Sequence, residues 1–194
     1  MKTRLFVAMF AVAALAVATN CGKKSSDSPT GPGAQTTTTT SVFNTELTPA
    51  NEVPAVANAE ASVSGTATIT LKTTKNASGT MTAATADFQV NVSGFPAGSS
   101  VTMAHIHPGA AGANGGILVS TGMASGDVVL SSGAGSFVRA GVPISAEIAQ
   151  GILNNPGAYY FNIHSLMNAA GVARGQLGTP TSSTVTDPGT GYPY

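Results

Sequence analysis

Tryptophan is absent from this chain, cysteine occurs once, and charged side chains make up only 8% of its 194 residues. Each shortage excludes something. A lone thiol, Cys21, can close no internal disulfide and build no multi-cysteine zinc site. In the central region the basic residues are Lys72, Lys75, Arg139 and Arg174, scattered among Glu46, Glu52, Glu60, Asp87, Asp127 and Glu147. With no basic stripe and no tryptophan platform, nucleic acid is excluded as a partner. No Gly-x-Ser-x-Gly element occurs, so the common serine-hydrolase arrangement has no support. The uncharged apolar run Leu5 to Ala18 is short for a membrane-spanning helix.

What is there begins with that run. Lys2 and Arg4 precede it and Cys21 follows it closely, the order of an export signal over residues 1–20. The arrangement resembles a bacterial lipoprotein signal, in which the cysteine is lipidated and becomes the mature N-terminus. By that resemblance Cys21 anchors the protein in a membrane. The aspartate that commonly retains such proteins at the inner membrane is missing from Gly22-Lys23, which implies the outer membrane or cell surface of a bacterial envelope. Ala18-Thr19-Asn20 departs from the usual Leu-first, small-last approach to the cysteine. Ordinary cleavage after Ala16-Val17-Ala18, a small-x-small site, stays open.

Residues 21–40 hold Lys, Ser, Pro and Gly and end in the run Thr36 to Thr40, which reads as a flexible linker. Residues 179–194, with Pro180, Pro188 and Pro193, read as a disordered tail. One domain remains, 41–178, a normal size for a single core. Its low charge and Ser/Thr/Gly-rich composition suit an extracellular β-protein.

Within it, Ala61 to Lys72 sets Val63, Ala67, Ile69 and Leu71 against alternating threonines, the clearest half-buried strand. Ser41–Leu47, Met81–Val92, Val101–Pro108, Ile117–Ser120, Asp127–Leu130, Ser136–Arg139, Tyr159–His164 and Ala170–Leu177 are further strands, with Gly/Pro turns between them. One helix is expected near 145–154, capped by Ser145, with Glu147 in its first turn and Ile148, Ile152 and Leu153 on one face. The fold class is all-β, an antiparallel Greek-key sandwich or barrel of immunoglobulin-like or superoxide-dismutase-like kind.

All three histidines lie in two strands. Alternation puts His105 and His107 on one face with Met103 and Val101, and it puts His164 with Tyr160 and Asn162. If the strands are neighbours, three imidazoles converge and can hold copper or zinc with a position left open. Met103 can add a soft sulfur for Cu(I). The competing reading has the rings bonded to backbone carbonyls or to Asn162, holding the loop Gly109 to Gly116. That loop has no Gly-Lys-Ser/Thr and leads into no helix, so it is a flexible loop rather than a phosphate cradle.

Four patterns together resemble the chordin-type (CHRD) domain: Leu47-Thr-Pro-Ala-Asn-Glu-Val-Pro54, Ala104-His-Ile-His-Pro108, Tyr160-Phe-Asn-Ile-His-Ser165 and Gly171-Val-Ala-Arg-Gly-Gln-Leu177. They stand in the family's order and cover nearly all of 41–178. The family occurs in animal chordins, which bind bone morphogenetic proteins, and in bacterial secreted or surface proteins. The resemblance implies an extracytoplasmic binding or structural module, open to a protein or matrix partner, with no catalytic residue. A fainter likeness is to copper–zinc superoxide dismutase. By it His105, His107 and His164 fall on copper-ligand positions and Arg174 on the anion guide, the alternative function being a copper-dependent redox enzyme. The bridging histidine, zinc-site residues and disulfide pair of that enzyme are missing.

Glu52 and Arg174 stand in two of these stretches, and a paired guanidinium–carboxylate hydrogen bond between them is expected, joining the first loop to the last strand.

If Cys21 is lipidated, the mature protein partitions into detergent and Cys21→Ser releases it as a soluble form. Mass spectrometry finding an unmodified Thr19 N-terminus would contradict the anchor.

Overall fold

A computed structural model of the protein describes residues 34–189. Their strands are β1 (Thr36–Leu47), β2 (Ser64–Asn76), β3 (Met81–Ser93), β4 (Ser99–Pro108), β5 (Val119–Ser120), β6 (Val128–Leu130), β7 (Gly135–Pro143), β8 (Tyr159–Ser165), β9 (Ala173–Gln176) and β10 (Thr181–Asp187), with helix α1 (Ala146–Asn154) before β8. They form two antiparallel sheets. One has the order β10-β1-β2-β3-β7; the other is β5-β4-β8-β9, with β6 also paired to β4. The all-β sandwich with one short helix is therefore as the sequence predicts.

Alternation builds the core. Ala67, Ile69 and Leu71 of β2 and Phe88, Val90 and Val92 of β3 are buried, whereas the threonines between the β2 residues look outward. The second sheet answers with Ala104, Ile106, Phe161 and Ile163. Phe88 and Phe161 stack across the sandwich with ring centroids 5.7 Å apart, within the range of favourable aromatic pairs. Ser145 accepts from the Ile148 N–H at the start of α1, and the helix buries Ala149 and Ile152.

Two details of this frame decide where the site lies. Past β1, Thr48 exchanges backbone hydrogen bonds with Arg174 of β9, at 3.2 and 3.3 Å, so the first loop is held at the edge of the second sheet. Beside that bridge a Cβ on Gly175 would run into the Glu46 carbonyl oxygen, so only glycine allows the two chains to come this close. The other detail is a break in register between Val101 and Met103. It turns Val101 into the core and Met103 outward, so Val101 does not share the histidine face, contrary to strict alternation. An extra residue in one strand shifts every side chain beyond it to the opposite face.

The domain also extends further than composition suggests. Thr36 to Thr40 is not a spacer: it belongs to β1 and pairs with β2 on one side and β10 on the other. Residues 181–187 of the expected tail are that partner strand, β10. Hydroxyl pairs such as Ser41–Ser182 at 2.8 Å and Thr39–Thr184 at 3.1 Å run between them. Threonine is β-branched and favours strands wherever a partner edge exists; low complexity alone hid this. Cys21 lies outside the described residues.

Candidate metal centre

Strand β8 lies directly beside β4, with Met103 opposite His164, His105 opposite Asn162 and His107 opposite Tyr160. The three imidazoles therefore meet on the outer face of the second sheet. All three are buried, because the first loop, the loop 109–116 and the turn after β8 cover that face. One nitrogen from each ring can be chosen so that the three lie within 4.8 Å of one another. His105 Nδ1 and His164 Nε2 are already 3.1 Å apart.

The hydrogen bonds fix which nitrogens are free. His107 Nδ1 lies 3.0 Å from the Gly115 carbonyl oxygen and 2.9 Å from that of Gly116. His164 Nδ1 lies 3.0 Å from the Ala169 carbonyl oxygen. A carbonyl only accepts, so both rings carry their proton on Nδ1, and each neutral ring keeps its lone pair on Nε2. His107 Nε2 is buried and has no partner; His164 Nε2 faces His105. His105 can present Nδ1 as its other tautomer. Carbonyl acceptors behind ligating imidazoles are the usual means of orienting them. The two readings of the histidines thus combine: backbone carbonyls take the Nδ1 protons of two rings, and the inward nitrogens stay available. In a tetrahedral site with bonds of about 2.1 Å the nitrogens stand roughly 3.4 Å apart, so the most widely separated pair, within 4.8 Å, would close by up to about 1.4 Å.

The surroundings favour the neutral form of His105 and His164. Burial, with the neighbouring charge sites of His164 and His107, brings the His105 pKa down to about 4. Burial also lowers that of His164, against the opposing effect of its bond to Ala169.

Arg174 secures the cover. Its Nε donates to the Asn51 carbonyl at 2.5 Å, and its Nη1 donates to the Ala113 carbonyl at 3.1 Å and to Asn114 Oδ1 at 2.9 Å. The guanidinium carbon sits 4.5 Å from the centre of the Tyr160 ring, a cation–π distance. The other face of Tyr160 stacks on His107, centroids 5.0 Å apart and 8° from parallel. The loop 109–116 is accordingly tied down rather than loose: it bonds Arg174, His107 and, through the Gly115 N–H, the Tyr160 hydroxyl at 3.3 Å.

The first loop and the last strand do meet, but the paired Glu52–Arg174 hydrogen bond is not formed. The closest approach is 3.9 Å, from Nε to Oε2: Nε and Nη1 are taken by carbonyl oxygens and Asn114, and Nη2 bonds neither Glu52 nor any other side chain or carbonyl. Burial raises the Glu52 pKa, against the charge of Arg174 and a hydrogen bond from Asn162. Glu52 Oε1, Asn162 Oδ1 and Arg174 Nη2 join His107 Nε2 as the buried side-chain atoms without a partner among the described residues. All four belong to this one layer, and a cluster of unpaired polar atoms marks a place where water or an ion belongs.

Composition and spacing gave no sign of Glu60. It is buried, accepting from Ser165 Oγ and Asn168 Nδ2 at 2.5 Å each, and it thereby holds the turn that presents the Ala169 carbonyl to His164. Asn58 Oδ1 accepts from the Glu60 N–H at 3.0 Å.

The family model described as CHRD domain matches residues 43–177. The chain belongs to the CHRD-domain family. Neither a curated protein nor a solved structure matches it. Membership supports a binding or structural module of extracellular type, and among the described residues no helix is long and apolar enough to cross a membrane. The matched span contains the three histidines, Glu52 and Arg174, so the site is part of the CHRD domain itself.

The lowered histidine pKa values set a sign for stability. An unfolded imidazole takes up its proton near pH 6.5, whereas folded His105 resists until about pH 4. The unfolded state therefore binds more protons in that window, and folding stability is lost as pH falls through it. Urea midpoints of the metal-free protein should decline from pH 6.5 towards pH 4, and His105→Asn should flatten the slope. An equal slope in both proteins would contradict this environment for His105.

Proposed function

We propose that this CHRD domain is an envelope-held, extracytoplasmic binding module that takes up one copper or zinc ion through His107 Nε2, His164 Nε2 and His105 Nδ1. The observation that carries the reading is the orphaned, buried His107 Nε2, in a ring whose other nitrogen is pinned to the Gly115 and Gly116 carbonyls. An ion supplies the partner that this atom lacks. Three imidazoles suit copper and zinc, and neutral rings are the form that ligates. When bound, such an ion acts as a Lewis acid or, if copper, as a one-electron centre. The chain's own part is to orient the rings, keep His105 and His164 unprotonated and exclude water.

A binding role is preferred to a redox enzyme of dismutase kind because of Arg174. Its side chain is 4% exposed, and its donors hold two loops, so it cannot serve as a surface guide for anions. Attachment through Cys21 would set the module at the outer membrane or cell surface, where a matrix or protein partner can meet it.

Calorimetric titration of the metal-free protein with Zn(II) and Cu(II) should give one site. His105→Ala, His107→Ala and His164→Ala should each weaken it by about 10–100-fold, the range found when supporting groups of metal sites are removed, and Asn162→Ala should weaken it less. Absence of binding, or binding unchanged in the His107→Ala protein, would overturn the proposal.

A further inference from the structure

Next to the histidines, on the same outer face, a groove of about 460 Å³ is lined by Thr102, Met103, Met123, Ser165, Leu166 and Ala169, among others. Methionine is the notable constituent. The described residues include Met81, Met103, Met123 and Met167. Met81 packs against the core, as methionine commonly does. Met103 and Met123 line this groove; Met103 remains 37% exposed, whereas Met123, 8% exposed, also belongs to the core and reaches the groove from its floor. The register break after Val101 is what turns Met103 out, directly opposite His164 across the β4–β8 ladder.

The groove and the histidine cluster share a wall. Ala169, which lines the groove, is also the residue whose carbonyl oxygen receives the His164 Nδ1 proton at 3.0 Å. Ser165 follows His164 in the chain and is likewise a groove residue. Its hydroxyl is committed to Glu60, and no carboxylate or imidazole lines this groove. The free ligating atoms it offers are thus thioether sulfurs and hydroxyl oxygens. Thioethers are soft donors that do not ionise, bind Cu(I) and Ag(I), and have little affinity for Zn(II) or hard cations. An apolar, charge-poor lining also favours a monovalent over a divalent ion, since it offers no negative charge to offset a higher one.

We infer that the Met103–Met123 groove is a second metal site, specific for a soft monovalent cation, and that Cu(I) is its ligand. Together with the proposed histidine site, on which this part rests, the groove makes copper rather than zinc the ion handled by the domain. It is the entry side, where Cu(I) is caught by sulfur beside the strand position of His164. No change of oxidation state is involved in this capture; the ion exchanges solvent or buffer ligands for thioethers.

The test uses full-length protein in the Cys21→Ser form, so that no thiol competes. Ag(I) serves as a redox-inert probe of the Cu(I) class, with methionine methyl groups labelled with ¹³C. Ag(I) should shift the Met103 and Met123 methyl resonances and leave Met81 in place. Met103→Leu/Met123→Leu, which keeps side-chain volume, should weaken Ag(I) binding at least about tenfold, as loss of soft donors demands, while Zn(II) affinity stays within about twofold. Unmoved methyl signals, or equal Ag(I) affinity in the double variant, would overturn the groove site. If Zn(II) still binds the histidines in that case, the histidine site stands and only this inference fails. Methyl shifts at Met103 and Met123 with neither Zn(II) nor Cu(II) binding at the histidines would support the groove and overturn the histidine reading instead.

Discussion

A single buried guanidinium governs whether the outer face of the second sheet is covered. Arg174 reaches the Asn51 carbonyl in the first loop and the Ala113 carbonyl in the glycine loop, while lying against Tyr160. Without those bonds, the two segments would be joined to each other only by the hydrogen bond from Asn114 Nδ2 to the Val53 carbonyl, at 2.7 Å. The layer beneath them would then be open to water. Burial of a charge is costly, and the cost is met here by carbonyl oxygens and Asn114 rather than by a carboxylate fork. Glu52, at 3.9 Å, contributes its charge without a direct bond.

Cover in turn determines the chemistry of the histidines. The glycine loop that Arg174 holds is the one whose carbonyls fix His107, and the turn held by Glu60 fixes His164 in the same way. A loop free to move would leave both tautomers populated, and the nitrogens would have no common focus. Held as they are, two rings present lone pairs inward and the third lies within reach. Rigid support of this kind separates a ligand set from a chance cluster of rings.

Much of this was legible in the residues. Alternation of Ile69, Leu71, Phe88 and Val90 with polar neighbours revealed the sandwich, and His105-Ile-His107 with a later strand histidine pointed to the cluster. The pairing of β4 with β8 was open to expectation only, because strand partners are non-local and no short stretch of residues dictates them. Other features were hidden for physical reasons. The register break that moves Val101 and Met103 apart depends on backbone packing, not on residue type. Thr36 to Thr40 reads as linker because a homopolymeric run carries no alternation, yet it is a strand once β10 supplies an edge. The Glu52–Arg174 fork was expected from charge count alone, which cannot tell that the Asn51 and Ala113 carbonyls orient the guanidinium with Glu52 3.9 Å away.

Carbonyl bonds that leave His107 and His164 with unprotonated, inward-facing Nε2 atoms are what the site depends on. Imidazole ¹⁵N NMR of the metal-free protein near pH 7 measures them directly. Protonated Nδ1 and pyridine-like, unprotonated Nε2 are predicted in both rings, with both Nε2 signals moving on addition of one equivalent of Zn(II). A protonated Nε2 in either ring, or signals unchanged by the ion, would contradict this arrangement.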